Sequence, residues 1–322
     1  MFDMSNGWYV KIGKYELRMM ESIEIIRSVE LLSDTATIAL PATAYNQTLD
    51  IESKIKRGDS VLIKLGYNGK LVPEFEGYLE SISSDDGSLT LKCEDSLFQY
   101  RKDIPNVELK NASVVDILKY VHTYITGFTI NCSYDFSYDK FVIKDATGYD
   151  VLKKIQEEAK PNIYIKGNVL HIHPQYIEIF GTAVYDFAKN IDEDGCSLKY
   201  KLESERKFLV TVESKDSAGK TIKVEEGTTG GEKMNIKISG VTNVASLRKM
   251  AQEALKQKVY TGFEGNFTAW LIPYVDAGYK VTLYDWDYEY KNGSYYVLEV
   301  KTVFSEDGGV RVIKIGKKLR DE

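Results

Sequence analysis

Histidine, cysteine and proline are scarce: the 322 residues hold 3, 3 and 6 of them. The cysteines, Cys93, Cys132 and Cys196, are odd in number, far apart and in no CxxC pattern. That argues against a disulfide framework and predicts reduced thiols in a chain folded in a cytoplasm. So few prolines leave no Pro-rich linker between domains. So few histidines leave most acid–base and hydrolytic schemes short of candidates, and no Gly-x-Ser-x-Gly elbow or HExxH stands in for them. No apolar run approaches the roughly 20 residues of a membrane span. Met1 to Tyr9 lack a basic segment followed by an apolar core, so no signal peptide is expected. Basic excess is missing too: 42 Lys and Arg against 48 Asp and Glu give a net charge of −6, the opposite of a nucleic-acid footprint.

What is present is an ordinary globular composition, 43% hydrophobic, with 23 tyrosines. Tyrosine suits half-buried strands and interfaces, because its ring packs while its hydroxyl stays hydrogen-bonded. One strand-rich phrase occurs twice. The first copy runs Gly58-Asp59-Ser60-Val61-Leu62-Ile63, a turn, then Gly77-Tyr78-Leu79. The second runs Gly278-Tyr279-Lys280-Val281-Thr282-Leu283, a turn at Gly293, then Tyr296-Val297-Leu298. Gly58 to Tyr78 is a step of 20 residues and Gly278 to Tyr296 one of 18. In both, a glycine turn feeds an alternating strand, a polar hairpin follows, and a second alternating strand returns.

Residues 8–100 read as strand after strand, with an Asn68-Gly69 hairpin turn and a second turn at Asp85-Asp86-Gly87. Residues 105–175 hold two similar helix openings, each followed by a strand. Ser113 and Thr147 are the expected N-caps, with Asp116 and Asp150 three residues on. Strands return in 196–240, and Asn243 is expected to cap an amphipathic helix bearing Leu247, Met250, Ala251, Ala254 and Leu255. The pattern predicts a β-rich α+β chain in which two related small β-barrel domains, 1–103 and 186–322, flank or enclose a small α+β insert, 104–185. The second barrel would carry the helix at about 243–258.

Candidate chemistry is thin. His171 and His173 share one face of a strand and could form a metal pair, yet the third histidine, His122, is distant in sequence. Gly227 to Lys233 imitates a phosphate loop, but Glu232 separates the last glycine from Lys233, no Ser or Thr follows, and no helix is expected after it. Asp192-Glu193-Asp194-Gly195 lacks calcium-loop spacing and reads as a solvated turn. No catalytic residue, cofactor or metal is expected.

Three stretches near the C-terminus, Gly278 to Leu283, Gly293 to Val300 and Gly308 to Val312, resemble the closing barrel of phage baseplate hub proteins, including the late-control D proteins of contractile tails. Ser33 to Pro41, Arg57 to Asp59, Gly66 to Gly69 and Phe75 to Tyr78 resemble the first barrel of that family, and the two helix openings fit between them. The resemblance implies a homotrimer whose six barrels form a ring, a symmetry adaptor between a sixfold tail tube and a threefold spike, without catalysis. It implies other baseplate proteins as partners, a virion tail or injection particle assembled in a bacterial cytoplasm, no specific nucleic acid and no membrane insertion. Some relatives carry a fused spike or enzyme; here the chain stops at Glu322, so the spike is expected to be a separate protein. The alternative is a tail-associated wall-binding module or peptidoglycan hydrolase, for which no motif speaks.

Overall fold

Along Thr35–Leu40 the written alternation becomes a burial alternation: Ala36, Ile38 and Leu40 are buried and their neighbours half-buried. The same period of two builds most of the chain, because successive strand side chains point to opposite faces. The computed structural model describes residues 6–41, 51–85, 88–159, 161–174, 178–192, 195–215, 220–239, 241 and 243–319. Asp86, Gly87, Glu193 and Asp194, expected in turns, lie outside them, as do Met1 to Ser5 and Glu322.

The first module comprises β1 (Asn6–Ile12), β2 (Ser22–Ser28), β3 (Thr35–Leu40), β4 (Ser60–Tyr67), β5 (Lys70–Asp85) and β6 (Ser88–Glu94). The turn at Asn68-Gly69, both with positive φ, joins β4 to β5. The insert holds β7 (Val107–Ser113), α1 (Val114–His122), β8 (Thr129–Cys132), β9 (Ser137–Ile143), α2 (Gly148–Ala159), β10 (Asn162–Lys166) and β11 (Val169–His173). Then come β12 (Thr182–Asp186), β13 (Lys199–Lys201), β14 (Phe208–Lys215), β15 (Thr221–Gly227), β16 (Glu232–Ser239), α3 (Val244–Lys258), β17 (Gly262–Trp270), β18 (Lys280–Tyr284), β19 (Gly293–Ser305) and β20 (Gly308–Lys318).

Strands of both modules form one fourteen-stranded sheet. Its main path runs β1-β4-β5-β6-β3-β2-β19-β20-β17, with β18 on β19, β12 on β18 and β13 on β17. Each module coils its share of the sheet around its own apolar core. Among the described residues no pairing returns β2 to β1, so the first module is a rolled, open sheet by hydrogen bonding. Leu271 and Phe304, from the second half of the chain, lie in the first core, so the join between modules is also apolar.

The insert packs α1 and α2 with the three-stranded sheet β8-β11-β10 around a third core. Both helices begin in the same way. Ser113 Oγ accepts from the Asp116 N–H at 3.1 Å and Thr147 Oγ1 from the Asp150 N–H at 3.2 Å. Asp116 and Asp150 accept from the Ser113 and Thr147 hydroxyls at 2.6 Å and from their N–H groups, which lowers both carboxyl pKa values from the ordinary range. A fourth core lies between α3, capped by Asn243, and the sheet β15-β14-β16.

Candidate assembly interface

The two sequence phrases take up matching backbone geometry. In the first, the Gly58 N–H donates to the Leu79 carbonyl at 2.8 Å, and the Leu79 N–H donates to the Asp59 carbonyl at 2.8 Å. In the second, the Gly278 N–H donates to the Val297 carbonyl at 2.9 Å, and the Val297 N–H to the Tyr279 carbonyl at 2.9 Å. Gly58 and Gly278 hold φ of 90° and 81°, a region that side chains rarely occupy. Ser60 stands opposite Tyr78, and Lys280 opposite Tyr296. Val61 and Ile63 point into the first module's core as Val281 and Leu283 point into the second module's core. Past Leu79 the β5 register slips by one residue against β6, and past Val297 the β19 register slips likewise against β20. Gly77 and Gly293 are not counterparts: Gly77 faces Val61, where the second copy sets Tyr295 against Val281, and Gly293 faces Leu283. The outer strands also differ, since β1 runs antiparallel to β4 but β12 parallel to β18.

The modules meet where β2 pairs with β19 over seven positions, from Glu299 opposite Ser28 to Ser305 opposite Ser22. Behind this pairing lies a buried ion cluster. Glu74 Oε2 is 3.3 Å from Arg27 Nη2, and Glu74 Oε1 is 2.5 Å from Arg311 Nη2. Arg27 also reaches Asp276 at 3.1 Å and donates to the Tyr274 hydroxyl at 2.8 Å. Burial opposes the Arg27 charge, but Asp276, Tyr274, Glu74 and Asp34 outweigh it and raise its pKa. Arg311 has fewer such neighbours; burial lowers its pKa, with Glu74 opposing. Close by, burial lifts the Asp34 carboxyl well above the usual range, helped by Asp95 and Asp276, and pushes Asp95 up to about 7.

None of Arg27, Glu74 and Arg311 was singled out from sequence, although two were legible. Arg27 is in phase with the buried Ile23 and Ile25, and Arg311 with the buried Ile313 and Ile315. A cation at a core-facing strand position demands a buried anion. Glu74 supplies it from a bulge: the β4–β5 register passes from Ile63 opposite Phe75 to Lys64 opposite Pro73, leaving Glu74 unpaired and aimed inward.

His171 and His173 flank one ring, that of Tyr164. His171 stacks on it at 4.8 Å, and His173 Nε2 lies 3.2 Å from its hydroxyl. His122 instead meets the Tyr100 hydroxyl at 2.7 Å. Among the described residues no three His, Cys, Asp or Glu side chains are grouped to hold a metal ion. In the Gly227–Lys233 stretch Gly227 ends β15 and Glu232 and Lys233 open β16, so a strand and not a helix follows the glycines.

A second surface feature is the loop after β18. Trp286 and Tyr290 are 66% and 70% exposed, with Tyr284 and Tyr288 beside them. Trp286 Nε1 donates to Asp186 Oδ2 at 2.8 Å, and Lys291 Nζ sits 3.8 Å from the Tyr288 ring centre.

No family model matches the chain, and no curated protein matches it by sequence. Solved structures do. A 43 kDa tail protein of prophage MuSo2 from Shewanella oneidensis has a TM-score of 0.63 at 16% identity, covering 97% of this chain and 98% of that one. A tail protein from Neisseria meningitidis MC58 has a TM-score of 0.62 at 17% identity, covering 97% of each. The Escherichia coli protein c3393 is described as a type VI secretion component with structural similarity to the T4 tail proteins gp27 and gp5. It has a TM-score of 0.60 at 9% identity, covering 97% of this chain and 77% of that one. The chain therefore has the fold of these tail and secretion-system proteins along almost its whole length.

Proposed function

We propose that the protein is a structural, non-catalytic hub of a phage tail or related injection system, a homotrimer that adapts a sixfold tail tube to a threefold spike. The observation that carries this reading is the repeated turn-and-bulge geometry at Gly58–Ser81 and Gly278–Glu299. One chain presents two similar but unequal β-modules, each a small barrel in this reading, so three chains would present six on a threefold axis. The shared fold with tail proteins supports the setting. Residues 1–103 and the expected 186–322, extended back to Thr182 by β12, would supply the ring and the insert before β12 its decoration, with tube, spike and other baseplate proteins as partners. The glycines and strand positions of the repeat, Gly58, Val61, Ile63, Gly77, Tyr78, Gly278, Val281, Leu283, Gly293 and Tyr296, act in this reading by shaping the ring modules.

Light scattering on the purified protein over a range of concentrations tests the reading. A stable species near three times 36.6 kDa is expected. A monomer that stays monomeric with tube and spike proteins added would refute it. The exposed aromatic row at Tyr284–Tyr290 favours a second reading, a wall-binding module, since such rings also stack on sugars. Pull-down on purified cell-wall glycan, lost on Trp286→Ala, would mark that role.

A further inference from the structure

The joint between the two modules has two halves, and each half has an unused counterpart in the same chain. The first half is the β19 edge beyond its bulge, which receives β2. Its counterpart is β5, because the matching glycine turns and bulges equate Val297 with Leu79, Glu299 with Ser81 and Lys301 with Ser83. The second half is β2 itself, which flanks β3 as β13 flanks β17. Ala36 lies opposite Cys93 as Gly265 lies opposite Ile315, so Ile26 corresponds to Lys199 and Ser28 to Lys201.

Both counterparts are open. β19 has β20 on one side and, on the other, β18 followed by β2. β5 has β6 on one side and β4 on the other only as far as Leu79; beyond it no described strand pairs with Ser81–Asp85 on that side. Among the described residues β13 pairs with β17 alone. A row of unpaired N–H and C=O groups is a template for another strand. Here the chain shows, at its own internal joint, which strand shape this kind of edge accepts and in which direction.

We infer that the β13 segment of a second copy adds antiparallel to the β5 edge, repeating the internal joint between chains. The register follows from the internal one: Ser81 opposite Lys201 of the second copy, and Ser83 opposite its Lys199. The two half-joints are unlike, so the contact is head-to-tail, and only a closed ring uses every edge. The pairing deepens the ring reading above and rests on it only for the count of three.

Site-directed cross-linking tests the register. Burial pushes the Cys93 thiol up to about 12, so Cys93 can stay, while Cys132 and Cys196 are replaced by serine. Directly opposed strand residues place their Cβ atoms about 4.5–5.5 Å apart, within reach of a short bifunctional thiol reagent. Ser83→Cys and Lys199→Cys chains should give no cross-link separately and a covalent dimer when mixed. A chain carrying both should lose most of its monomer band to larger covalent species. Ser83→Cys mixed with Lys233→Cys is the off-register control and should stay monomeric on the gel. Circular dichroism of each variant checks folding.

A three-chain particle by light scattering without cross-linking between positions 83 and 199 would overturn the pairing and leave the ring reading standing. Cross-linked chains that never close at three would support the pairing and defeat the count. A monomer with no cross-link at any concentration, with tube and spike proteins added, would overturn both.

Discussion

Replacing Glu74 by alanine should cost about 3–5 kcal/mol, the usual penalty for breaking a buried ion pair by removing one partner. The structure says where that cost falls. Arg27 keeps Asp276 at 3.1 Å, the Tyr274 hydroxyl at 2.8 Å and the residue-74 backbone carbonyl at 3.1 Å. Arg311 keeps none of its hydrogen bonds, since both run to the Glu74 carboxylate. Its guanidinium, 1% exposed, would retain only the face of Tyr274, 4.9 Å from the ring centre. The loss is therefore mostly a stranded Arg311 charge. Glu74→Leu should strand Arg311 in the same way, and adding Arg311→Met to Glu74→Leu should recover most of the loss, because apolar replacement of a buried pair is often neutral or stabilising by about 1–4 kcal/mol. Urea denaturation of the singles and the double, read as a double-mutant cycle, measures the coupling. A Glu74→Ala loss below about 1 kcal/mol would refute the reasoning, since it would mean that water reaches Arg311.

Asp95 sets a pH dependence. Its folded pKa is raised from 3.8 to about 7 by burial, so the folded chain holds more protons than the unfolded one between those values. Stability should fall as pH rises through that window and level off above it. Asp95→Asn should flatten the slope in thermal melts; an unchanged slope would count against it. Gly278→Ala should destabilise more than Gly58→Ala. Both incur the positive-φ strain of roughly 1–2 kcal/mol, but only at Gly278 would the new Cβ clash, with the Phe180 ring at 2.5 Å, whereas at Gly58 it would touch the Phe98 ring at an ordinary 3.8 Å. Equal melting-point shifts would show that Phe180 gives way freely. Ser113→Ala and Thr147→Ala should each lose about 1 kcal/mol as lost helix caps; a neutral Thr147→Ala would separate the two helix starts despite their matching hydrogen bonds.

The alternating strands, the Asn68-Gly69 turn, the caps at Ser113, Thr147 and Asn243 and the repeated glycine turns were all legible along the chain. Each depends on neighbours a few residues away and on periods that local backbone geometry imposes. Tertiary structure alone decided that β2 would join β19, merging two modules into one sheet, and that β12 would run parallel to β18. Those pairings link residues far apart in sequence, and a strand pattern names a buried face without naming its partner. It decided likewise that Glu74, on a strand where a carboxylate reads as solvent-facing, would turn inward between Arg27 and Arg311. The bulge that aims it arises from the register of β4 on β5, and the charge it answers lies 237 residues away.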